Sequence, residues 1–192
     1  MIDATELPTL RGQRLQLRWL RDDDVEGIYD IFRSEEVTRY WSWPAYTRPG
    51  QAADLLATIR DYFQKHELYQ WGVARLEDDQ IIGVCTLAHL SAQNRRAEVG
   101  FALNREHWGG GWMSEAVGVL LEYAFGPLNL HRLEADVDPL NEGSIRLLER
   151  AGFIKEGLMR ERWIIAGKTS DSVYYGLLAR EWKQRRGEAA MD

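Results

Sequence analysis

Three consecutive glycines, Gly109-Gly110-Gly111, stand between a strand pattern ending at Leu103 and a helix pattern beginning near Trp112. Glycine lacks a Cβ, so such a run lets the backbone turn sharply and approach a ligand closely. The helix that follows aims its free amides and the positive end of its dipole at the loop. The junction suits an anion, above all a diphosphate. Two diphosphate loops are excluded. A Walker loop needs Lys and Ser or Thr after its glycines, and Trp112-Met113 follow here. The dinucleotide fingerprint needs a third spaced glycine, and Ser114 stands in its place. Taken alone, the run reads first as a tight strand-to-helix turn without a ligand.

The flanking patterns alternate between strand and helix. Leu15, Leu17 and Trp19 alternate with Arg14, Gln16 and Arg18 as in a half-buried strand. Asp22 to Asp24 supply a helix start, and Val25, Ile28, Tyr29 and Phe32 follow at helical spacing. An aromatic loop, Tyr40-Trp41-Ser42-Trp43-Pro44-Ala45-Tyr46, leads to a second helix near Pro49 with Leu55, Ile59, Tyr62 and Phe63 on one side. Tyr69 to Leu76 and Ile81 to Leu90 read as a hairpin, with Ala97 to Leu103 as the next strand. Beyond the glycines come a helix, a strand over Leu130 to Val137, a short helix from Asn141 to Gly152, and strands over Phe153 to Ile165 and Ser170 to Leu178. The order β-α-α-β-β-β-α-β-α-β-β predicts an α/β fold: one mixed, mostly antiparallel sheet with helices on both faces. The 192 residues suit one domain, residues 1–192, with a core over about 10–180 and a solvated tail from Lys183 to Asp192.

Composition removes several function classes. A single cysteine, Cys85, excludes an internal disulfide and a cysteine-built metal site. The four histidines show no ligand spacing, so no metal is expected. A net charge of −6 argues against nucleic acid or an anionic membrane as partner. The first ten residues carry Asp3 and Glu6 without an apolar run, and no stretch approaches the ~20 apolar residues of a membrane span. A cytoplasmic protein is the expectation.

A set of short motifs recurs in fixed order. It comprises Ala97-Glu98-Val99-Gly100-Phe101, Trp108-Gly109-Gly110-Gly111-Trp112-Met113-Ser114-Glu115-Ala116, Asn141-Glu142-Gly143-Ser144, Gly152-Phe153 and Glu156-Gly157. This order resembles the GNAT acyltransferases, in particular the branch of the ribosomal-protein N-terminal acetyltransferases RimJ and RimL. Leu15-Gln16-Leu17-Arg18 followed by Asp22 to Asp24 is similar to the opening of the same branch. The resemblance implies acetyl-CoA as co-substrate and N-acetyltransferase activity. It implies that the amides from Gly109 to Ser114 hold the pyrophosphate, including Gly110, Gly111, Trp112 and Met113. It implies that Phe101, Ala102 and Leu103 pair with the pantetheine as an added strand would, and that Asn141 contacts the cofactor from the other side. Trp108 occupies a position where the superfamily places Gln or Arg, and Met113 one where it places Gly or Ala.

Acetyl transfer from a thioester to an amine needs the amine deprotonated, the developing oxyanion stabilised and the thiolate released. Three carboxylates offer themselves as base. Glu98 lies on the strand leading to the cofactor loop, and reads equally as a residue ion-paired to Arg95 or Arg96. Asp136 alternates outward on its strand, and Glu161 shares a strand face with Met159 and Trp163, where partial burial is expected. Many family members place a tyrosine acid four residues before the Gly-Phe pair. Leu148 stands there, and the resemblance suggests Ser144 instead. Trp41 and Trp43 lie where the branch meets its acceptor, and their faces suit an ammonium; they read equally as a clamp over the core. Arg146 and Arg150 suit a phosphate or a solvated face. The acceptor is a primary amine, either a protein N-terminus such as that of a ribosomal protein or a small molecule. An acyl-CoA-binding sensor without strong catalysis is the rival reading, and a homodimer stays open.

Overall fold

A computed structural model of the protein describes residues 5–165 and 167–187. Its eight strands form one sheet in the order β1-β2-β3-β4-β5-β6-β8-β7. The strands are β1 (Leu10–Arg11), β2 (Leu15–Arg18), β3 (Leu68–Arg75), β4 (Ile81–Ser91), β5 (Arg96–Leu103), β6 (Arg132–Val137), β7 (Ile154–Ile165) and β8 (Lys168–Leu178). Every neighbouring pair is antiparallel except β5 and β6, which run parallel. The mixed, mostly antiparallel sheet read from the sequence is the sheet observed.

The helices are α1 (Val25–Phe32), α2 (Glu35–Thr38), α3 (Gly50–Gln64), α4 (Trp112–Phe125), α5 (Glu142–Ala151) and α6 (Ala179–Arg185). Successive strand residues serve opposite faces. Val84 joins Ile28, Ile31, Phe32, Leu56 and Ile59 in the cluster under α1 and α3, whereas Cys85 joins Val117, Leu120 and Leu121 of α4 in the other. Helices therefore cover both faces of the central strands.

Four local expectations shift. Asp22–Asp24 form a 3-10 turn whose last residue points inward. Arg18 is buried, so its guanidinium needs partners, and it donates to both Asp24 oxygens at 2.7 and 2.8 Å and to Asp79 Oδ1 at 2.8 Å. The α3 face rotates: Ala52, Leu56, Ile59 and Phe63 are buried, while Tyr62 is exposed. Residues 52, 56, 59 and 63 keep the helical spacing, so the period was legible and its phase was not. At the C-terminus, α6 continues through Arg185, so the expected tail begins as helix, although Lys183–Arg185 are exposed; residues 188–192 lie outside the described residues. Finally, Glu161 is exposed rather than partly buried, because β7 is the outermost strand of the sheet and is exposed along its length from Ile154 to Ile164. No helix among the described residues is long and apolar enough to cross a membrane.

Candidate active site

Parallel pairing between β5 and β6 covers only Arg96–Glu98 against Arg132–Glu134. Both strands continue, β5 to Leu103 and β6 to Val137, without pairing to each other. From Val99 onward β5 pairs with β4 alone, so its other edge is free for an extended ligand. A cleft of about 900 Å³ opens at this divergence. Phe101, Ala102 and Leu103 of β5 form one wall, the loop and first turn of α4 the floor, and the first turns of α5 the other wall.

Gly109 and Gly111 both have φ +76°. This left-handed region is open to glycine without strain and costs other residues roughly 1–2 kcal/mol. Gly111 caps α4, and no side chain caps that end. The first described satisfied amide is that of Glu115, donating to Gly111 O at 3.1 Å. The amides of Trp112, Met113 and Ser114 thus have no intrahelical acceptor. A Cβ at Gly109 would meet nothing within 4 Å, so the loop borders open space. Open space, unfilled amides and a free strand edge are what a diphosphate joined to an extended amide chain requires. The residues present therefore fit acetyl-CoA.

Arg14 and Glu115 hold this loop in place. Glu115 Oε1 accepts from the amides of Gln13 and Arg14 at 2.7 and 2.8 Å, and its Oε2 from Arg14 Nε at 2.8 Å. The Arg14 guanidinium also donates to Gly110 O at 3.0 Å and lies 4.4 Å over the Trp112 ring. Gly110 is thereby turned away from the cleft wall, unlike Gly109 and Gly111. Burial pushes the Glu115 carboxyl up, but the Arg14 amide, the Arg14 side chain and the Gln13 amide outweigh it, so the group is held below its usual range. No motif in the sequence announced this pair.

Trp108 lines the cleft, and its indole N–H donates to Leu103 O at 2.8 Å. The position where the superfamily pattern has Gln or Arg is filled here by a ring folded back on β5. Asn141 accepts from the Ser144 amide at 3.2 Å, which commits its side-chain oxygen to capping α5. Both Asn141 and Ser144 line the cleft. So do Arg146 and Arg150, with Arg146 paired to Glu142 at 2.8 Å. Leu148 is wholly buried.

The aromatic pair separates. Trp41 lines the cleft, whereas Trp43 does not: it borders a second surface hollow with Pro44, Tyr46 and Leu55. Both rings pack on Phe32, at 5.2 and 6.2 Å between centroids, and on each other at 4.7 Å. Trp43 is therefore a clamp over the α1 core and not a cleft residue. Next to them, the Tyr40 hydroxyl donates to Leu140 O at 3.0 Å and bridges the cleft mouth.

Glu98 lies outside the cleft lining, half-buried at the last paired position of β5 beside Glu134. Arg96 pairs with Glu134 at 2.6 Å and not with Glu98. Burial pushes the Glu98 carboxyl up; His89 opposes that, and Asp136 and Glu134 add to it. Asp136 accepts from the Ser172 hydroxyl and from Arg162 Nε, the latter at 3.3 Å. Glu161, on the β7–β8 hairpin, uses its amide to donate to Asp171 Oδ1 at 2.8 Å.

Comparison with known proteins identifies the family and the fold. Residues 14–154 match the acetyltransferase (GNAT) domain family. The uncharacterized N-acetyltransferase p20 of Bacillus licheniformis is 37% identical over 176 residues, covering 92% of this chain and 99% of that protein. A spermidine N(1)-acetyltransferase of Vibrio cholerae is 28% identical, covering 83% of this chain and 90% of its own. The crystal structure of the ribosomal-protein-S5-alanine acetyltransferase from Vibrio fischeri superposes with a TM-score of 0.77 at 23% identity, covering 92% of this chain and all of that one. The family match spans most of the chain, with a relative at 37% identity over nearly its whole length, and the protein belongs to the GNAT acetyltransferase family.

Proposed function

We propose that the protein moves an acetyl group from acetyl-CoA to a primary amine by direct attack within a ternary complex. The observation that carries this reading is the divergence of β5 from β6 after the Glu98–Glu134 pair. One wall of the gap leads to the unfilled amides of α4, and its last paired rung carries Glu98. The α4 amides and the β5 edge would hold the pyrophosphate and pantetheine, and bound acetyl-CoA supplies the thioester.

Glu98 takes the proton from the incoming ammonium, and its raised pKa brings it nearer to the pH at which the amine must be freed. The amine nitrogen bonds to the thioester carbon, the carbon–sulfur bond breaks, and the sulfur leaves as thiolate and takes up the second proton of the amine through solvent. Ser144, in the cleft wall, donates a hydrogen bond to that sulfur. Buried Leu148 leaves no tyrosine for the task. Cys85 is an unsuitable acyl carrier, because it is buried and desolvation pushes its thiol far up.

The names of relatives supply two acceptor types, spermidine and an alanine of ribosomal protein S5. Both present a primary amine, which is the class proposed here. A panel of peptides, polyamines and small monoamines, assayed with acetyl-CoA by release of free thiol, tests the reading. Amine-dependent thiol release is expected. Binding of acetyl-CoA with no turnover of any amine overturns transfer as the function.

A further inference from the structure

The strand β7 interrupts its ladder on β8 at two places, between Lys155 and Gly157 and between Met159 and Trp163, and Arg162 lies within the second. Within the break Glu161 has φ +51°, a left-handed conformation uncommon outside glycine, and its amide is held by Asp171 Oδ1 at 2.8 Å. Arg162 then reaches across β8 to β6. Its guanidinium lies 5.3 Å over the Tyr174 ring and 5.4 Å over that of Trp163, and its Nε donates to Asp136 Oδ2 at 3.3 Å. Tyr174 is the cross-strand partner of Asp136, so the arginine crosses the sheet directly above the pair.

Around Glu98 stand His89 from β4, Glu134 and Asp136 from β6, Arg162 from β7 and Tyr174 from β8. Glu134 is neutralised by Arg96 and Arg132 at 2.6 and 2.8 Å. Asp136 is neutralised by Arg162, and its other oxygen is occupied by Ser172. Among the described residues nothing hydrogen-bonds the Glu98 carboxylate.

From this placement we infer that Arg162 is a positioning and specificity residue of the acceptor side. By holding Asp136 it leaves Glu98, among the described carboxylates of this cluster, as the one without a hydrogen-bonding partner for the incoming amine, and it disfavours acceptors with a second cationic group close to that amine. The inference rests on the acceptor approaching Glu98, as proposed above. The chemical class favoured is therefore an amine with one local positive charge, such as a peptide terminus followed by uncharged residues.

Two readouts test it. The first is the titration of the Glu98 carboxyl, followed by 13C NMR in wild type, R162M, R162K and D136N, with E98Q to assign the signal. R162M should raise the midpoint by at least about half a pH unit, because a nearby cation is lost. D136N should lower it, and R162K should stay near wild type. The second is the ratio of kcat/KM for 1,4-diaminobutane to that for n-butylamine. R162M should raise this ratio by at least roughly threefold, the scale of a partly exposed ion pair. Should R162M not fold, R162Q carries both measurements. An unchanged midpoint on losing Arg162 overturns the positioning role, and a shifted midpoint with an unchanged ratio overturns the specificity role. Failure of every amine to react sinks the transfer reading instead, and the titration still decides on Arg162.

Discussion

Arg14 Nε lies 2.8 Å from Glu115 Oε2, and through that contact the turn between β1 and β2 is fastened to the first turn of α4. The same carboxylate takes two backbone amides, and the same guanidinium holds Gly110 O. The cofactor loop is thus braced from the far end of the sheet. Replacing Glu115 by Ala should cost about 1–3 kcal/mol, because charge-assisted bonds are lost and amides are stranded. The acetyl-CoA KM should rise while the acceptor KM stays near wild type. Glu115 has a depressed folded pKa, so its stabilisation is present above the ordinary glutamate range and lost as pH falls through the folded value. Thermal melts from pH 7 to pH 3 should show a steeper acid loss for wild type than for Glu115→Gln.

Gly111→Val tests the cradle. The φ of +76° is strained for any side chain and worst for a β-branched one. The variant should lose the melting shift that acetyl-CoA gives to wild type, where a ligand at ~100 times its dissociation constant adds roughly 2.7 kcal/mol. Circular dichroism should show the fold retained. A full shift in the variant would mean that the loop does not seat the ligand.

Glu98→Gln should lower kcat by at least ~100-fold, the smaller figure for loss of a general base. Acetyl-CoA binding should persist. The residual rate should climb with pH as free amine accumulates. Stability should respond in the other direction. A carboxyl with a raised folded pKa is favourable below its unfolded pKa and loses that contribution as pH rises through the folded value. Glu98→Gln should therefore raise Tm at pH 7 relative to wild type and have little effect at pH 4.

Trp41 and Trp43 should part company. Trp41→Ala, at a residue that lines the cleft, should raise the acceptor KM. Trp43→Ala should mainly destabilise, by about 1–3 kcal/mol for a half-buried aromatic packed against the core. The Trp43 indole N–H is buried without a described partner. Trp43→Phe removes that stranded donor and should leave Tm unchanged or higher. Equal effects of both alanine variants on the acceptor KM would place Trp43 in the site after all.

Ser144→Ala should reduce kcat less than Glu98→Gln does, since a thiolate leaves without full protonation near neutral pH. Its effect should shrink further with an acyl donor whose thiol is more acidic. An effect that grows with such a donor would remove Ser144 from the leaving-group side.

Local chemistry alone was enough for much of this protein. Glycines at 109–111 can only punctuate a strand and a helix, Asn141 and Gly152 bracket α5 as its cap and its left-handed stop, and the alternation in β6 predicts its buried face, whereas in β2 it misses buried Arg18. Those signals act over one to four residues, which is the range a linear sequence displays. Partnerships between charges are different. With 24 basic and 30 acidic side chains, residue type leaves the pairing degenerate, and only the folded chain brings Arg14 to Glu115 across 101 positions or Tyr40 to Leu140 across 100. The alternation along β7 failed at Glu161 for a related reason. β7 is the edge strand of the sheet and is exposed along its length, and its break sets two extra residues between Met159 and Trp163 against β8, neither of which local alternation displays. Arg162, within the same break, reaches Asp136, so which carboxylate is paired is decided by sheet packing and not by the order of residues.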